Sequence, residues 1–143
     1  MPTRARTKPR LLLAGTPSGL RVLCPLLDGE AELLTAETLP QATRLLGPDV
    51  DVILCTLRFD ESRMFDFLRV AKRSAPDVAF VCCRATPGTI SERAIEAIAL
   101  AARSAGAAGY LDLARLRGRY GVAAGDAKFR AILLRLASLR QAV

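Results

Sequence analysis

The side chains best suited to chemistry are few in this sequence of 143 residues. There is no histidine, which removes imidazole bases, mixed His/Cys zinc sites and every Ser-His or Cys-His nucleophile arrangement. Cys24, Cys55, Cys82 and Cys83 show no CxxC spacing, and three of them lie in apolar runs where a thiol behaves as a small hydrophobe. They are expected to be buried and reduced. The stretch Gly15-Thr16-Pro17-Ser18-Gly19 lacks both the GxGxxG spacing and the later acidic residue of a dinucleotide loop. Asp49, Asp51 and Asp60 gather around one apolar segment, and Arg58 and Arg84 each follow such a segment. No catalytic residue, metal site or cofactor is expected from this supply, and the chain is not expected to be an enzyme.

The elements that would position these residues follow from hydrophobic pattern and punctuation. Leu11-Leu12-Leu13-Ala14 reads as a strand, after which Thr16 suits a helix cap and Pro17 its first position. Leu20, Leu23 and Leu27 continue at helical spacing until Asp28-Gly29. Residues 32–36 form a second strand, and Thr38-Leu39-Pro40-Gln41 offers a capping box for a helix ended by Gly47-Pro48. Residues 50–57, apolar except for Asp51 and Thr56, suit a central parallel strand covered on both faces. Phe59-Asp60-Glu61-Ser62 then opens a helix with Met64, Phe65, Leu68 and Ala71 inward, Asp60 being a solvated cap. A fourth strand covers 78–83. Thr89-Ile90-Ser91-Glu92 caps a helix burying Ile95, Ile98, Ala99 and Ala102. Residues 110–113 form a fifth strand, 114–125 a long loop, and Asp126 caps a last helix with Phe129, Ile132, Leu133 and Leu136 inward. Strict βα alternation over five units implies an α/β, doubly wound, five-stranded parallel sheet.

Charge and hydropathy bound the setting. Of 21 basic residues against 14 acidic, residues 1–10 carry four positives, while 115–143 carry seven positives and one negative. Eighteen of the basic residues are Arg, a bias that GC-rich coding produces without any demand for phosphate binding, so nucleic acid is not the expected partner. Mean hydropathy is +0.25, yet charges interrupt every apolar run well short of the roughly 18 residues a membrane span needs. The apolar segment after the basic start, residues 11–13, is too short for a secretory leader. The expectation is a cytoplasmic protein with no membrane association, made of a disordered basic tail over 1–9 and one domain over 10–143.

Two stretches carry a family resemblance. Ala105-Gly106-Ala107-Ala108-Gly109-Tyr110-Leu111 resembles the end of the fourth helix and the fifth strand of a response-regulator receiver domain, with Tyr110 at its aromatic switch position. Pro48-Asp49-Val50-Asp51-Val52-Ile53-Leu54 resembles the approach to that family's phosphoacceptor. The likeness extends over residues 10 to about 138 and implies the (βα)5 flavodoxin-like fold with strand order 2-1-3-4-5. It also exposes what has changed. Ala14 and Gly15 occupy the receiver's acidic metal-binding positions, and Thr56, or Cys55 if the register slips by one, occupies that of the acceptor aspartate. Arg84 takes the place of the hydroxyl residue ending the fourth strand, and Leu113 that of the lysine ending the fifth. Of the nearby acids, Asp51 would sit early in the third strand, far from the carboxyl edge where the site belongs.

The resemblance therefore implies a bacterial two-component signalling module that has lost phosphorylation and acts by protein contact. Its surface is expected on the fourth helix, fifth strand and fifth helix, including Ile98, Tyr110, Arg115 and Arg117, with a homodimer as one possible assembly. The alternative is a sensor of a small anion or nucleotide in a crevice lined by Arg84 and Arg58. Against that, Arg84 is expected to pair with Asp60 or Glu61 and lock the loops.

Overall fold

Parallel strands buried on both faces need near-continuous apolar runs, and the first, third and fourth of five strands are almost wholly apolar. In a computed structural model, which describes residues 8–141, these are β1 (Arg10–Ala14), β2 (Glu32–Ala36), β3 (Val52–Thr56), β4 (Ala79–Arg84) and β5 (Gly109–Asp112). All pair in parallel in the order β2-β1-β3-β4-β5. This is the expected doubly wound sheet. Most of the tail expected over 1–9 lies outside the described residues, and the Pro9 carbonyl already accepts from Glu32 N at 2.8 Å.

Alternation along the strands divides the core into two layers. Leu12, Ile53, Cys55, Phe80 and Cys82 pack on one face, against helices α2 (Leu39–Leu45), α4 (Met64–Ser74) and α5 (Glu92–Ser104). Leu11, Leu13, Val52, Leu54, Val81 and Cys83 pack on the other, against α1 (Pro17–Leu27) and α7 (Val122–Gln141). Two arginines fasten α7, one near its middle and one at its C-terminal end: Arg130 Nε donates to Leu26 O at 2.9 Å, and Arg140 donates to Val50 O and Pro48 O, each at 3.1 Å. Phe129, Leu133 and Ala137 form its buried seam, whereas Ile132, expected inward, is 41% exposed. On α4 it is Phe67, not Phe65, that is fully buried.

Three local expectations need correction. Residues 114–125 are not a loop, because α6 (Leu113–Tyr120) occupies most of them. Its Arg- and Leu-rich sequence favours helix, and Asp112 caps it by accepting from Arg115 N at 2.9 Å. Asp126 is consequently not a cap. It lies inside α7 and binds Arg117, Nε to Oδ1 at 2.6 Å and Nη2 to Oδ2 at 3.0 Å.

The third correction concerns Phe59–Ser62, labelled α3, which does not begin the long helix. Asp60, Glu61 and Ser62 take left-handed φ of 43°, 55° and 69°, unfavourable for residues bearing a Cβ by roughly 1–2 kcal/mol each. Tertiary contacts hold the turn: Phe59 is buried against Phe67, and Asp60 Oδ2 accepts from Leu39 N at 2.7 Å. Asp60 thus serves the start of α2 and not a helix of its own.

Where α6 crosses α7, a Cβ on Gly125 would lie 2.7 Å from Arg117 N and 2.8 Å from Arg117 Cα. Gly125→Ala is expected to lower stability by about 1–3 kcal/mol through overpacking, although helix propensity alone would raise it by about 1 kcal/mol. Urea unfolding reads the sign.

Candidate functional site

Ligands of open α/β sheets bind at the carboxyl ends of the strands. At that edge the register brings together Ala14, Thr56, Arg84 and Asp112. Gly15 follows Ala14, and a Cβ there would lie 2.9 Å from Thr56 Cγ2; one on Gly19 would lie 3.2 Å from it. These glycines let the β1–α1 turn press against the end of β3. Thr16 caps α1, its Oγ1 accepting from Gly19 N at 3.2 Å, with Pro17 next in the helix as expected. A cleft of about 340 Å³ opens beside this turn, its wall including Thr16, Ser18, Thr56, Arg58, Arg84 and Thr89. Thr56 Oγ1 is buried there with no hydrogen-bond partner.

Arg84 does not pair with Asp60 or Glu61. The β4–β5 register sets it opposite Asp112, with Nε 3.0 Å from Oδ1 and Nη2 2.9 Å from Oδ2. The side chains are only 15% and 5% exposed, and Glu92 stands 3.9 Å from the same guanidinium. Asp112 also accepts from Tyr110 Oη at 2.8 Å and from Arg115 N. One carboxylate therefore holds an ion pair, a phenol and a helix cap. Burial alone would lower the Arg84 pKa, but the hydrogen bond and charge of Asp112 outweigh it and the pKa is raised. The Tyr110 phenol is also pushed up, first by burial and then by its bond to Asp112. Asp112 escaped the sequence reading, although a cap residue before a run of helix formers signals it.

Of the other residues singled out, Arg58 is exposed beside the cleft and donates to Thr89 Oγ1 at 3.4 Å. Arg84 and Arg58 do line one crevice. Leu113 is fully buried in the core layer beneath α7. Ile98 is half-buried, Arg115 pairs with Glu92, and Arg117 with Asp126. Asp51 is buried at the opposite edge, where it accepts from Arg10 N at 2.9 Å. The four cysteines are free thiols; burial pushes Cys82 up to about 12 and Cys55 and Cys83 well above the ordinary range.

A hard divalent cation requires oxygen ligands, and the donor set does not fit one. Ala14 and Gly15 have no side-chain oxygen, the described residues lining the cleft include no Asp or Glu, and no group of three His, Cys, Asp or Glu suited to a metal occurs among the described residues. None of the described helices is long and apolar enough to cross a membrane.

Sheet order and flanking helices define the receiver type of flavodoxin-like fold, and solved structures agree. The HemR receiver domain from Leptospira biflexa is 27% identical, with a TM-score of 0.57 over 73% of this chain and 82% of that one. The signal receiver domain of a putative Luxo repressor protein from Vibrio parahaemolyticus is 18% identical, with a TM-score of 0.64 over 92% and 94%. A response regulator receiver domain protein from Clostridium thermocellum is 24% identical, with a TM-score of 0.57 over 73% and 81%. No family model and no curated protein matches the chain.

Removing Asp112 would strand a largely buried guanidinium. Asp112→Ala is expected to lose about 3–5 kcal/mol of unfolding free energy, while Asp66→Ala, at an exposed pair with Arg69, loses about 1 kcal/mol or less. The raised acids set an alkaline limit. A group whose pKa is higher folded than unfolded contributes stability that is complete below its ordinary value and disappears as pH rises through the folded one. Stability should therefore decline from pH 9 towards 12, the span set by Cys82, as followed by chemical denaturation at stepped pH.

Proposed function

We propose that the chain is a receiver-like regulatory module of a signal-transduction pathway that works through protein contact, without aspartyl phosphorylation and without catalysis of its own. The observation that carries this reading is the Arg84–Asp112 ion pair at the ends of β4 and β5. A receiver's response to phosphorylation is implied to run through a hydroxyl residue and a lysine at the ends of these strands. Here both strand ends are bound to each other and to Tyr110, so the aromatic residue is tied in one orientation. The rest of the chemistry points the same way. Thr56 offers a hydroxyl where an acyl phosphate needs a carboxylate, and among the described cleft residues no acid stands beside it to hold a metal that would neutralise an incoming phosphoryl group.

The contact face is the one implied by the resemblance, α5, β5 and the last helix α7, with α6, where a loop was expected, beside it. Leu100, 69% exposed, is on α5, and the Arg115–Glu92 ion pair joins α6 to α5. A second copy of the chain is the simplest partner for such a face. The receiver domains that share the fold support a signalling role.

The test is incubation with acetyl phosphate and Mg²⁺ followed by intact mass. An unmodified mass is expected; one added phosphoryl group, lost on changing Thr56, Asp51 or Asp60, would overturn the reading. Light scattering at rising concentration should show dimers that Leu100→Glu disperses, and a monomer throughout would move the contact to a different protein.

A further inference from the structure

The cleft beside α1 holds donors that the fold does not use. Thr56 Oγ1 is buried without a partner in the cleft wall, and a buried hydroxyl left unpaired is disfavoured by about 1–3 kcal/mol, so native structures rarely keep one without a reason. The first turn of α1 is open as well. Pro17 has no N–H, Gly19 N is taken by Thr16 Oγ1 and Leu20 N by Thr16 O, which leaves the Ser18 N–H as the unclaimed donor of a helix start that borders the cleft. Arg58 adds an exposed guanidinium whose contact with Thr89 is long, at 3.4 Å.

The electrostatics select a sign. No Asp or Glu is present among the described lining residues, and a helix N-terminus carries about half a positive charge. Arg84 adds little net charge, since its Nε–Nη2 edge is paired with the Asp112 carboxylate; Arg58 is the cation left for a ligand. Size narrows the class further. About 340 Å³ is near the lower end of ligand pockets and suits a small metabolite, not a dinucleotide.

We propose that this cleft reversibly binds a small oxyanion, the carboxylate or phosphate group of a metabolite, held by Thr56, the start of α1 and Arg58. Binding is non-covalent and needs no metal. It is independent of the contact function above, and would give a module that phosphorylation cannot switch an input at the same edge of the sheet.

The experiment is a thermal-shift titration of the full chain with inorganic phosphate and, separately, acetate, with sodium chloride at matched ionic strength. A saturable rise in Tm with one anion and not with chloride is expected, and the anion that acts distinguishes phosphate from carboxylate recognition. Arg58→Ala removes an exposed side chain and Thr56→Val keeps the shape of the buried one, so both should fold. Each should weaken the apparent affinity about tenfold or more, which corresponds to about 1.4 kcal/mol. Arg73→Ala, an exposed cation on α4 away from the cleft, should leave it unchanged. The proposal fails if neither anion exceeds chloride, or if Thr56→Val and Arg58→Ala bind as tightly as the native chain.

Discussion

Where β4 and β5 end, a guanidinium and a carboxylate are held together almost out of contact with solvent. Burying either charge alone would be strongly unfavourable, whereas burying them as a bidentate pair with further hydrogen bonds is tolerated. That constraint organises its surroundings. Asp112 must accept from Arg84, Tyr110 and the first turn of α6 at once, so the last strand, the aromatic residue beside it and the following helix are joined through one side chain. The neighbouring cleft owes its charge to the same arrangement, because Asp112 neutralises Arg84 and leaves Arg58 and the α1 terminus to set its sign.

The other half of the carboxyl edge is governed by space. Gly15 and Gly19 allow the β1–α1 turn to approach Thr56 more closely than any residue with a Cβ would. Thr56 Oγ1, in the wall of the adjoining cleft, is left without a partner from the fold. Here the chemistry of the edge differs from what the receiver resemblance implies: a carboxylate cluster around a metal is replaced by hydroxyls, a helix start and a neutralised arginine. The fold persists because the two core layers depend on alternating apolar residues along the strands, and none of the altered positions contributes a large apolar side chain except Leu113, whose burial under α7 adds to that core.

Arginine also accounts for the basic segment 115–143. Arg130 and Arg140 satisfy backbone carbonyls, Arg115 and Arg117 pair with Glu92 and Asp126, and Arg119 lies over the Tyr120 ring. A planar guanidinium with several donors suits such fastening. Much of this positive charge is therefore engaged within the fold.

Strand positions, the α1 and α2 caps at Thr16 and Thr38 and the parallel sheet were all legible in the sequence, because each depends on residue type and on neighbours a few positions away. The Thr38 box even forms nearly as read, with Gln41 N donating to Thr38 Oγ1 and Gln41 Oε1 accepting from Glu37 N. What escaped depends on distance along the chain. Arg84 and Asp112 are 28 residues apart, and only the β4–β5 register makes them partners in place of the nearer-seeming Asp60. The left-handed turn at Asp60–Ser62 contradicts local preference and exists because Leu39 N, 21 residues away, binds Asp60. Helix α6 was hidden by its glycines, one of which, Gly121, ends it with φ of 90°. Short-range physics wrote the elements into the sequence, while tertiary packing decided which charges cancel and which donors remain unpaired, since burial and partnership arise only once distant segments share one interior.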